Sequence, residues 1–155
     1  MSSLSRRHIL ILAAYACSAS VSSSIAVAQQ ATSVSEPRIA LDGYDPISYF
    51  DPGRPEKGSS EFSFAFDDAV YWFKSADHLS KFVADPERYA PQFGGYCAIT
   101  MSGGEKGPAD PEAWSISDGK LYVFRVKRGV EKFNSNPAEI AALANANWQK
   151  LHESK

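Results

Sequence analysis

The sequence predicts a single α+β domain, on three observations. Two stretches of strand-forming residues are each folded back by a tight turn. Apolar residues recur at helical spacing between and after them, and the connections are short. The expected form is a small antiparallel sheet built from two hairpins, with short helices and a C-terminal helix packed on it. The 155 residues, 44% hydrophobic and 22% charged with net charge −2, suit one globular domain. Such a composition excludes disordered and collagen-like chains, and without a basic excess nucleic acid is not an expected partner.

Residues 1–28 stand apart. Arg6 and Arg7 precede the apolar run from Ile9 to Ala14, and a Ser/Ala-rich stretch ends in Ala26-Val27-Ala28. This is the charged, apolar and small-residue order of a secretory signal, and the run is too short to span a bilayer. The paired arginines in Ser5-Arg6-Arg7-His8-Ile9-Leu10 resemble the twin-arginine export motif. The expectation is a periplasmic protein cleaved after Ala28, with no stable membrane insertion afterwards. Cleavage would leave Cys97 as the sole cysteine, unable to staple its own chain.

Residues 29–38 carry no apolar period and read as a flexible leader, with the domain spanning 39–155. Asp45-Pro46-Ile47-Ser48-Tyr49-Phe50 predicts one helical turn, with Asp45 as cap and Pro46 at the first helical position. Phe62, Phe64 and Phe66 alternate with small residues as a strand. Asp67-Asp68-Ala69 turns the chain into the strand Val70–Phe73. Ser75 can cap a helix with Leu79, Phe82 and Val83 on its apolar stripe, ending at Asp85-Pro86. The glycine-rich segment Gln92–Gly107 predicts no regular element, and its Gly103-Gly104-Glu105-Lys106-Gly107 lacks the spacing of a phosphate loop.

Asp118-Gly119 is the strongest turn signal. A two-residue turn there pairs Ser117 with Lys120, Ile116 with Leu121 and Trp114 with Val123, placing Trp114, Ile116, Leu121 and Val123 on one face. A final helix starts at Asn136-Pro137, with Ile140, Leu143, Ala144, Asn147, Trp148 and Leu151 as its stripe. No internal repeat is apparent.

The stretch Tyr71-Trp72-Phe73-Lys74-Ser75, followed by Phe82, Pro86 and Tyr89, resembles the YHS domain. Gly43-Tyr44-Asp45-Pro46-Ile47-Ser48-Tyr49-Phe50 and Gly94-Gly95-Tyr96-Cys97-Ala98 look like its exported single-domain branch. The resemblance covers about 40–151 and implies a compact α+β module. It also implies that metal-binding relatives place cysteines where this chain has Ser48, Lys74 and His78. Serine and protonated lysine are poor ligands for a soft metal, so that cysteine site is not inherited and only His78 could still coordinate.

Two groups of side chains are candidates. Cys97, His78 and Met101 offer thiolate, imidazole and thioether, a set suited to copper or zinc. The alternative is that Cys97 fills core space and that His78 edges its helix's buried stripe. A thiol enzyme with His78 as base would need an orienting acid and an oxyanion hole, which no motif supplies. Tyr44, Asp45, Tyr49 and Tyr96 could wall a ligand pocket or serve as core aromatics around a capping Asp45.

The leading expectation is a non-catalytic exported module of YHS type binding a soft metal ion or small ligand. The runner-up is an interaction module docking on an envelope protein. Replacing both Arg6 and Arg7 with Lys is expected to hold the precursor in the cytoplasm. Unchanged periplasmic yield in fractionated cells would assign export to the general secretory route instead.

Overall fold

The computed structural model describes residues 37–153. The expected export signal, with Arg6, Arg7 and Ala28, and most of the expected leader lie outside the described residues. The architecture is α+β. Strand β1 (Arg38–Ile39) leads into a 3-10 turn at Ala40–Gly43, and a second follows at Pro46–Tyr49. Strands β2 (Ser59–Phe66) and β3 (Ala69–Phe73) form the first hairpin, and helices α1 (Ala76–Ala84) and α2 (Pro86–Tyr89) follow. A 3-10 turn at Gln92–Gly95 and helix α3 (Ala98–Ser102) precede the second hairpin, β4 (Asp110–Ser117) and β5 (Lys120–Phe124). Helices α4 (Lys127–Ser135) and α5 (Pro137–Glu153) end the fold.

Local signals explain these elements. Asp45 caps its turn by accepting from the Ile47 N–H, and the Ser75 hydroxyl accepts from the His78 N–H at the start of α1. Asp118 and Gly119 both take positive φ, as the tight turn requires, and the second hairpin has the expected register. Among the described residues no helix is long and apolar enough to cross a membrane.

Several details depart from the sequence reading. The hairpins sit in separate sheets, ordered β1-β3-β2 and β4-β5, rather than in one. Arg38, assigned to the leader, is already in β1, which pairs parallel with β3. The segment 92–107 holds a 3-10 turn and α3, while α4 has no side-chain cap to announce it. Val83, Ile116 and Leu143, expected on apolar faces, are exposed. Helix α5 packs on α3, where the Asn147 amide donates to the carbonyls of Met101 and Ser102.

The largest departure is that the fold repeats. The bounds of β2, β3 and α1 recur in β4, β5 and α4 at a displacement of 51 residues (59 to 110, 69 to 120, 76 to 127). The 3-10 turns at 40–43 and 92–95 match at 52. Even the irregularities coincide: the register shifts between Ser59 and Ser63 in β2 and between Asp110 and Trp114 in β4. Ile39 pairs parallel with Val70, and Pro91 with Leu121. Leu41, Asp42 and Gly43 take positive φ in succession, as do Phe93, Gly94 and Gly95.

Each half has its own aromatic centre. Phe82 lies 5.1 Å from Tyr71 and 5.0 Å from Phe73, between ring centroids. Phe133 lies 4.6 Å from Tyr122 and 5.1 Å from Phe124. Burial drives the phenol pKa of Tyr71 and Tyr122 above the ordinary tyrosine value. Both central phenylalanines are fully buried in separate clusters. Phe82→Ala and Phe133→Ala are therefore each expected to cost about 3–5 kcal/mol in denaturant melts. A negligible cost at either position would contradict the equivalence of the halves.

Candidate functional site

The first half is tied at one buried carboxylate. Asp45 is fully buried. Its Oδ1 accepts from the Ile47 N–H at 2.8 Å, and Oδ2 accepts from the Lys74 N–H at 2.9 Å. The same Oδ2 lies 2.6 Å from His78 Nδ1. The imidazole is thus tied to the carboxylate through Nδ1, and Nε2 is its other ring nitrogen. Ser48 Oγ donates to the Asp45 carbonyl at 2.7 Å and accepts from the Glu56 N–H at 3.0 Å. Ser48, close to Asp45 in sequence, and Lys74 and His78, some thirty residues on, thus meet around one residue.

Glu56 adds an outer layer. Its carboxylate takes Lys74 Nζ at 2.6 Å and Arg54 Nη2 at 3.1 Å. The Lys74 hydrogen bond, aided by Arg54, holds its pKa below the usual carboxylate value. The Lys74 ammonium is thereby engaged beside the His78–Asp45 pair.

The second half solves the same problem differently. Cys97 stands 52 residues after Asp45, and its Sγ accepts from the Arg125 N–H at 3.3 Å, as Asp45 accepts from Lys74, 51 residues earlier. The Asp45 N–H donates to the Glu56 carbonyl, and the Cys97 N–H to that of Gly107. Thr100 Oγ1 donates to the Cys97 carbonyl in the manner of Ser48. Gly129 occupies the place of His78, where a Cβ would come within 3.1 Å of Phe124 Cβ. A cysteine sulfur and a glycine therefore suffice to join hairpin and helix.

The candidate metal residues fall into two environments. Cys97 is 2% exposed and packs with the fully buried Met101 in the second half's core. His78 faces Asp45 outside that cluster. Among the described residues, no group of three or more His, Cys, Asp or Glu is placed to hold a metal ion.

The candidate pocket residues also separate. Tyr44 donates to Glu112 Oε1 at 3.2 Å, and Tyr49 donates to the Pro111 carbonyl at 2.9 Å. Burial keeps the Tyr49 phenol neutral well beyond the ordinary range. Both pack around Leu41, Leu121 and Val123, while Asp45 belongs to its own network. Tyr96 lines a cavity.

That cavity, about 200 Å³, lies where the halves meet. Ile39, Leu41 and Asp42 come from the first half; Gly95, Tyr96 and Ala109 come from the second, with Pro108 and Pro111 at its margin. Arg38 also lines it, with its guanidinium carbon 4.8 Å from the Tyr96 ring centre and Nη2 donating to the Gly94 carbonyl at 2.5 Å. Leu41, at φ 51°, and Phe93, at φ 58°, occupy a region that costs bulky residues roughly 1–2 kcal/mol each. Gly95, at φ +81°, comes close to Leu41: a Cβ there would lie 3.7 Å from its Cδ2. Sequence reading found Tyr96 but not Arg38. The signal that marks the seam is the Gly-Tyr step at 43–44, repeated at 95–96.

Asp45→Ala is expected to cost about 3–5 kcal/mol, because it strips the partner from the Lys74 N–H and from His78. Asp45→Cys should recover about 1 kcal/mol of that, since a thiol accepts the equivalent N–H at Cys97. Equal loss in both variants, by denaturant melts, would refute the correspondence. No family model, no curated protein and no solved structure matches the chain.

Proposed function

We propose that this chain is an exported, non-catalytic binding module of YHS type, and that its ligand is a small molecule held in the seam between its halves. The N-terminal sequence supports export, and the motifs around Tyr44, Tyr71 and Tyr96 support the resemblance. The observation that carries the binding reading is the cavity itself. It joins an apolar wall to one guanidinium fixed by an aromatic face and a carbonyl, the usual make-up of a small-ligand site. Between a ligand and a copper or zinc ion, the geometry favours the ligand. Cys97 packs with Met101 in the second half's core, whereas His78 is bonded to Asp45 outside that cluster.

One observation favours a second reading, docking on an envelope protein. Helix α4 starts at Val126 with no side-chain cap and carries Lys127 and Arg128 in its first turn, against the helix dipole; α1 has the Ser75 cap and Asp77 instead. Val126 is 55% exposed. Arg125, Lys127, Arg128 and Lys132 surround it, exposed and without ion pairs among the described residues. Such a patch suits an acidic protein surface.

Protein isolated from its own periplasm tests both readings by native mass spectrometry and elemental analysis. The expected result is a stoichiometric small molecule, lost in Ala109→Phe, which fills the cavity. Stoichiometric copper or zinc, lost in Cys97→Ser, would put the metal reading first. A protein partner lost in Arg128→Glu/Lys132→Glu would favour docking.

A further inference from the structure

The cavity at the seam carries both signs of charge, and this bears on what fits it. Arg38 contributes a guanidinium of which only Nη2 is bonded: it donates to the Gly94 carbonyl and lies 3.8 Å from Asp68. Nε and Nη1 make no hydrogen bond among the described residues. Asp42 lines the same cavity, and its carboxylate has neither a hydrogen bond nor an ion pair there; only its backbone carbonyl is used, by Lys57. Ile39, Leu41 and Ala109 supply an apolar wall, and the Tyr96 ring holds the guanidinium in place.

We infer that the seam binds a small zwitterion of the α-amino-acid type with a short apolar side chain. This rests on the small-ligand reading above and names its chemical class. A simple carboxylate would satisfy Arg38 but face repulsion from Asp42, and a simple amine the reverse. A molecule with adjacent ammonium and carboxylate groups satisfies both, through the charge-assisted hydrogen bonds that give small ligands their orientation. Size agrees. A cavity of about 200 Å³ slightly exceeds the roughly 150 Å³ that accepts one benzene ring, which leaves room for a compact aliphatic amino acid.

The backbone points the same way. Leu41 and Asp42 both lie in the left-handed region, where leucine is strained, and both line the cavity. The same conformation recurs at Phe93 and Gly94, so what is particular to the first half is the acid that the turn presents. The other half has glycines at 94 and 95, the places of Asp42 and Gly43, so its turn offers no second carboxylate. The acid at 42 is not required by the turn, which glycine satisfies equally well.

The test uses the purified protein and three probes of one shape: L-valine, 3-methylbutanoate, which lacks the ammonium, and isobutylamine, which lacks the carboxylate. Calorimetry and the amide resonances of Gly95 and Tyr96 report binding. Valine is expected to bind at least about tenfold more tightly than either half-probe, the scale of one charge-assisted hydrogen bond. Arg38→Gln should weaken valine by a similar factor while isobutylamine, freed of the guanidinium's repulsion, binds more tightly. Asp42→Asn should weaken valine and, by lifting the repulsion, tighten 3-methylbutanoate; thermal melts verify that both variants are folded. If 3-methylbutanoate binds as tightly as valine and Asp42→Asn changes nothing, the zwitterion assignment is overturned and a carboxylate site remains. If all three probes are silent while periplasmic protein still carries an Ala109-dependent small molecule, only the amino-acid class fails. Silence together with an empty periplasmic protein overturns the ligand reading as well.

Discussion

A single carboxylate, out of reach of water, decides the geometry of the first half. Asp45 holds the start of its own helical turn, the end of β3 through Lys74, and the first turn of α1 through His78. A buried ion is costly unless its lone pairs are used, and here backbone donors and an imidazole use them. The 3-10 turn and the consecutive pair β3 and α1 are thereby fixed to one point. The second half shows what that arrangement contributes beyond folding. With Cys97 and Gly129 in the same places, hairpin and helix still meet, so the charge of Asp45 and the ring of His78 exceed what the junction needs.

Much of this fold was legible in the sequence. Asp45-Pro46, Ser75 and Asp118-Gly119 each carry a local instruction that does not depend on tertiary context, and each produced the expected cap or turn. What was not legible was relational. The two halves share Asp67/Asp118, Tyr71/Tyr122, Phe73/Phe124, Phe82/Phe133 and Pro86/Pro137, but between these anchors nearly every residue differs. Strand faces need only alternation and size, so the intervening positions can diverge while the backbone does not. Helix α4 escaped notice because Val126, Lys127 and Gly129 break every local rule for starting a helix; packing of Phe133 holds it instead.

The candidate site followed the same division. Residue chemistry picked out His78, Cys97 and the tyrosines, and each does occupy a structured place. Periodicity could not reveal that Cys97 and Asp45 are counterparts rather than partners, because the loop inside the first half is one residue longer than its equivalent in the second (45 to 56 against 97 to 107). Nor could it reveal Arg38, whose role comes from a carbonyl 56 positions away. A ligand seat made where two similar halves touch belongs to neither sequence segment alone.

The coinciding bulges have a consequence for how the protein behaves among its neighbours. In each sheet the outer strand, β2 or β4, breaks register at the same point. A kinked strand cannot offer a long, regular row of amide groups to a passing chain. On the opposite margin of β5 stands Pro91, which has no N–H to extend a ladder, and β1 shields β3 with only two residues. Two sheets give a small chain twice as many open margins as one, and among the described residues each is short, bent or flanked by proline. Two adjacent hairpins can therefore persist side by side without recruiting each other, or a second molecule, into a longer sheet.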